Sequence, residues 1–139
     1  MTDTLAPKGI FGVMTPAMNT VVQPELELLR PVGVSNQMQR FRLGGECVSD
    51  DLLEEADKLM DCNPIALAIG LTTDAAPGGV AKLVDRTAQL SDRLGIPVCN
   101  ASTADHMALR AFDANKIAVV TPFNAEVDKT VKQQVESAG

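Results

Sequence analysis

Short apolar runs alternate along the chain with amphipathic stretches of helical length. Residues 8–15 (KGIFGVMT) read as a buried strand and 33–43 (GVSNQMQRFRL) as a more polar one. Residues 64–71 (PIALAIGL) and 96–99 (IPVC) read as core strands, and 116–121 (KIAVVT) as a further strand. Between and after them, apolar positions recur at helical spacing. One helix is expected from Ser49 to Cys62, where Ser49 offers an N-cap and Asp50 and Asp51 suit the positive end of the helix dipole. A second runs over 79–94 and stops at Gly95, with Pro97 close behind. A third covers 102–112, and the last begins near Asn124 and runs to the C-terminus. Strands that alternate with helices of this length need crossover connections, which make neighbouring strands parallel and put helices on both faces. The expected fold is therefore α/β, one βαβ-type domain over residues 1–139 with a mainly parallel sheet and no internal repeat.

Composition narrows the function classes. The chain has 139 residues, 45% of them hydrophobic, which suits one domain with its own core. No run reaches the roughly 20 apolar residues of a membrane span, and the start MTDTLAPK lacks the order of a secretory signal. A cytoplasmic protein with no membrane partner is the expectation. A net charge of −6 repels a phosphate backbone, and with 3% aromatic residues there are few stacking platforms, so no nucleic-acid partner is expected. Cys47, Cys62 and Cys99 form an odd set without CxxC spacing, which fits a reducing compartment. A single histidine, His106, makes a zinc site unexpected, and no metal is assigned.

Ligands of parallel sheets sit beyond the carboxyl ends of the strands. Those ends read TPAMNT (15–20), GLTTDAAPGG (70–79), CNAST (99–103) and TPFN (121–124), each followed by the start of a helix. Hydroxyls, amides and free backbone N–H groups suit a small anion such as a carboxylate, since each donates a hydrogen bond without adding a competing charge. Neither GxGxxG nor GxxxxGK[ST] is present, which argues against a nucleotide. Taken singly, Ser102, Thr121 and Asn124 also fit plain helix caps, and Pro16, Pro77 and Pro122 plain turns. His106 falls among Met107, Leu109 and Phe112 as a structural helix residue. Glu54, Glu55, Asp57 and Lys58 form a solvated face. Cys99 reads as a small core residue at a strand end, and Cys47 and Cys62 receive no role. It is the convergence of the edges that points to a site.

The runs GVMTPAMNTVVQPEL, IALAIGLTTDAAPGG, LGIPVCNASTADHMALRAF and KIAVVTPFNAEVDK together resemble the aspartate/glutamate racemase superfamily, closest to its maleate cis-trans isomerase and arylmalonate decarboxylase branch. The resemblance extends over nearly the whole chain and implies the first half of a two-half fold. TPAMNT looks like the family's carboxylate-binding turn, which places Asn19 and Thr20 on the substrate. Gly70 falls where isomerases and racemases carry their first cysteine, so the resemblance leaves no catalytic residue in this chain. Leu71, Thr72 and Thr73 would supply oxyanion donors. TPFN looks like the family's TP-Y turn, with Phe123 in place of the tyrosine and Asn124 beside it. The implied activity is cofactor-independent isomerisation of a small dicarboxylate, in which one thiolate attacks and an opposite thiol donates a proton. The glycine in place of the thiol resembles the decarboxylases, in which hydroxyls hold the enediolate left by carbon dioxide. A non-catalytic dicarboxylate-binding domain is a third expectation. In each catalytic version the partner is a missing second half, on the rest of a longer protein or on another copy in a homo-oligomer.

Overall fold

The computed structural model describes residues 4–43, 48–71 and 79–136. Four strands form one parallel sheet: β1 (Gly9–Pro16), β2 (Val34–Phe41), β3 (Ala66–Ile69) and β4 (Val98–Asn100), in the order β2-β1-β3-β4. Five helices accompany them: α1 (Val22–Leu29), α2 (Val48–Met60), α3 (Gly79–Leu94), α4 (Ala101–Ala111) and α5 (Ala125–Glu136). The α/β class and the parallel sheet are as the pattern predicts.

Position in the sheet accounts for the character of each strand. β1 is flanked on both sides, and its Val13, Met14 and Thr15 are fully buried. β2 lies on an edge, which explains its polar sequence VSNQMQRF. Paired residues of a parallel ladder share a face. Met14, Ile69, Leu67 and Phe41 therefore form one side, onto which α2 lays Leu52, Ala56 and Leu59 and α3 lays Leu83 and Leu90. These helical positions recur every three or four residues, the stripe that faces a core. On the same side, Gln39 of β2 donates to Glu55 of α2. α1 lies on the opposite face, where Asn36 Nδ2 donates to the Leu26 carbonyl at 3.1 Å.

The structure departs from the sequence pattern at three places. No strand forms at 116–121. The stretch belongs to no sheet, with Val120 96% exposed. A strand needs a neighbour to complete its backbone hydrogen bonds, and no described strand is placed to supply one. Second, α1 has no counterpart in the sequence reading. It is short, buries no residue completely and carries Pro24 in its first turn, where the missing N–H costs little. Third, α4 is capped by Asn100 rather than Ser102. Asn100 Oδ1 accepts from Thr103 N–H at 2.8 Å, while Thr103 Oγ1 closes the reciprocal bond from Asn100 N–H at 3.1 Å. Ser102 is buried inside the helix. The Gly95 stop is present, with φ at +68°, a conformation open to glycine at little cost.

Candidate functional site

The candidate site begins at the carboxyl end of β1. Pro16 ends the strand, where its lack of an N–H interrupts no ladder, and the chain turns so that Asn19 N–H donates to the Pro16 carbonyl at 2.9 Å. The Asn19 side chain then turns forward. Its Oδ1 accepts from Val21 and Val22 N–H at 2.9 Å each, closing the start of α1. Its Nδ2 has no hydrogen-bond partner among the described residues. The next residue, Thr20, is exposed at the tip of the turn.

Arg40, near the end of β2, fastens this turn from below. Its Nη1 donates to the Asn19 carbonyl at 2.7 Å and the Ala17 carbonyl at 3.2 Å, and its Nη2 donates to Gln23 Oε1 at 3.0 Å. Arg40 pairs in register with Thr15, the buried residue whose Oγ1 has no partner among the described residues. Sequence reasoning did not single out either residue. A lone arginine near the end of an edge strand looks like solvent decoration, and only the fold brings it against a loop more than 20 residues earlier.

Gly70 lies next to this turn. Its N–H donates to the Met14 carbonyl at 2.7 Å, and a Cβ added there would sit 3.2 Å from Val22 Cγ1. Asn19, the first turn of α1 and Gly70 are thus brought together. Leu71 is half-buried against the core. Thr72 and Thr73 lie outside the described residues.

The other two edges behave differently. At the end of β4, Asn100 is fully engaged: besides capping α4 it donates from Nδ2 to Thr87 Oγ1 at 2.9 Å, and Thr87 in turn donates to the Leu83 carbonyl at 2.7 Å. Phe123 and Asn124 lie beyond the segment that joins no sheet, so TPFN is not an edge of this one. Asn124 Oδ1 caps α5, accepting from Glu126 and Val127 N–H at 3.1 Å each, and the Thr121 hydroxyl donates to Asp128. His106 joins α4 to α5 through a 3.1 Å contact between Nε2 and the Gln134 carbonyl.

Neither described thiol is activated. Burial raises the pKa of Cys99, which pairs with Ala68 in the sheet, and so keeps it a neutral thiol at pH 7. Burial likewise raises that of Cys62, whose Sγ donates to the Leu59 carbonyl at 3.0 Å. Cys47 lies outside the described residues. Geometrically, the edge at β1 and β3 leaves Asn19 Nδ2 open, while the N–H groups of Val21, Val22, Gly70 and Leu71, the last expected as an oxyanion donor, already donate within the chain; among the described residues no thiol stands beside them.

A parallel α/β fold with an amide-bearing turn at the carboxyl end of its sheet is the class these features define. The chain superposes on the maleate isomerase Iso from Pseudomonas putida S16 with a TM-score of 0.77 and 17% identity, over 94% of this chain and 60% of that one. It superposes on arylmalonate decarboxylase with a TM-score of 0.75 and 19% identity, over 92% of this chain and 57% of that one. Neither a family model nor a curated protein matches by sequence. The chain thus shares its fold with these enzymes and spans about 60% of their length.

Proposed function

We propose that this domain binds a small dicarboxylate as one half of a cofactor-independent isomerase of the maleate cis-trans type, its active site completed by a second racemase-type half. The observation that carries this reading is the turn after β1. Asn19 closes the start of α1 with Oδ1 and keeps Nδ2 available, and Arg40 holds the turn in place beside Gly70. A carboxylate there would accept from Asn19 Nδ2, a charge-assisted bond contributing about 1.5–3 kcal/mol. Catalysis would need a thiol, which in this reading comes from the other half, because the described residues at this edge supply none.

One observation favours a decarboxylase-type reaction instead. The space beside Gly70 is occupied by Val22, so a cysteine at this position would press on that side chain, whereas an enediolate needs only donors.

The test is maleate and malonate titration of the protein, read as a rise in melting temperature, with Asn19 changed in two ways. Asn19→Asp keeps an acceptor for Val21 and Val22 N–H but places a negative charge at the turn. It is expected to stay within about 0.5 kcal/mol of the parent in stability and to lose ligand-induced stabilisation. Asn19→Ala is expected to lose both, with a stability cost of about 1 kcal/mol. Undiminished ligand stabilisation in Asn19→Asp would remove the turn from the site. Product formation by the protein as a monomer would show that no second half is needed.

A further inference from the structure

Thr15 is fully buried at the carboxyl end of β1, and its Oγ1 has no hydrogen-bond partner among the described residues. Burial takes from a hydroxyl the bonds it makes to water, so one left without a partner subtracts from stability. The other buried polar side chains are engaged: Asn100 donates to Thr87, and Ser102 has an interaction of its own. Valine has the shape of threonine and would fill this place without that cost, so the hydroxyl calls for a partner.

Its neighbours belong to the turn of Asn19. Thr15 pairs with Arg40 of β2, and on its other side stands Gly70, which follows the Met14–Ile69 pair and donates to the Met14 carbonyl. Arg40 reaches Gln23 at the start of α1, and Val22 Cγ1 stands 3.2 Å from where a Cβ of Gly70 would be. The row Arg40, Thr15, Gly70 therefore faces α1, with the half-buried Val22 between it and solvent. Asn19 Oδ1 accepts from the N–H of that same Val22, which brings the open Nδ2 to the same place. The charge in the row is that of Arg40, which makes no ion pair among the described residues. Two donors beside an unpaired cation suit an anion with two acceptor oxygens.

We propose that Thr15 is a second ligand-binding residue of this edge: with the Val22 side chain turned aside, its hydroxyl donates to one oxygen of the carboxylate whose other oxygen accepts from Asn19 Nδ2. The proposal rests on the carboxylate reading and adds to it a buried donor and the side chain that covers it. Val22 belongs to the first turn of a short helix that buries no residue completely, so turning it aside opens no part of the core. A ligand that must wait for this cover to move binds with an apparent affinity reduced by the fraction of molecules in which it has moved. The hydroxyl is kept at a cost to the free protein and gains its partner in the complex.

Maleate titration by isothermal calorimetry, run beside urea denaturation of each variant, tests the proposal. Thr15→Val keeps the shape and removes the hydroxyl. It is expected to be at least as stable as the parent and to bind maleate at least about tenfold more weakly, the loss of one charge-assisted bond. Thr15→Ser keeps the hydroxyl and leaves a small gap in the packing, so it is expected to be less stable and to retain the parent's affinity. Val22→Ala removes the cover and is expected to bind more tightly than the parent. Affinity that follows stability rather than the hydroxyl across the Thr15 variants overturns the proposal, as does unchanged binding by Thr15→Val or weakened binding by Val22→Ala. In each of those cases the role of Asn19 stands. A parent that binds neither maleate nor malonate removes the carboxylate reading and this proposal together.

Discussion

Gly70 and Val22 share one small volume. A methyl group at Gly70 would lie 3.2 Å from Val22 Cγ1, closer than ordinary carbon contacts, while the backbone there has no positive φ that would itself forbid a side chain. Gly70→Ala is therefore expected to destabilise the parent protein and to stabilise the Val22→Ala background by about 0.5–1 kcal/mol, because a glycine's freedom in the unfolded chain is removed once the clash is gone. A urea-denaturation double-mutant cycle reads this coupling; additive effects would mean that the two residues do not compete. Cys99 offers a second test. Burial disfavours its thiolate, so its folded pKa lies above the unfolded one, and ionisation subtracts stability only as pH rises beyond the ordinary thiol range. Iodoacetamide at pH 8 is expected to label native Cys99 at least about tenfold more slowly than the urea-unfolded chain, followed by peptide mass spectrometry. Equal rates would make Cys99 an accessible thiol and reopen its assignment.

Among the elements, α4 depends most on one residue. Asn100 closes the helix start and reaches back to Thr87 on α3, which couples the end of β4 to two helices. Asn100→Ala removes the cap and leaves Thr87 Oγ1 without its donor in a buried place. The expected cost is about 2–3 kcal/mol, measured by chemical denaturation, with a loss below about 1 kcal/mol excluding the buried network as a structural anchor. By contrast, α1 is held from outside itself. Asn19 closes its start, Asn36 binds the Leu26 carbonyl, and Arg40 reaches Gln23. A helix of eight residues has little stability of its own, so these tethers and Val22 against Gly70 keep the candidate turn in position.

For the whole molecule, the two ends of the chain differ in completeness. From β1 to α4 the protein is a closed sheet-and-helix unit with a continuous core from Leu52 and Phe41 to Leu90. From Asn115 onward it carries apolar groups with few neighbours: α5 meets α4 chiefly through His106, and Val120 faces solvent. The chain spans about 60% of the enzymes it superposes on.

The sequence by itself determined the features whose physics is local. Apolar spacing marks α2 and α3, Gly95 marks the end of α3, and the Asn100 and Asn124 regions mark helix starts, because a helix closes its hydrogen bonds within its own segment. The four paired strands were legible as apolar runs, and β2 as the more polar one. Tertiary structure alone decided the rest. It set the order β2-β1-β3-β4, held α1 in place, brought Arg40 beneath the turn of Asn19, put Val22 against Gly70, and left residues 116–121 outside the described sheet. Each of these depends on groups far apart in the chain, and a strand in particular exists only where another chain segment completes its hydrogen bonds.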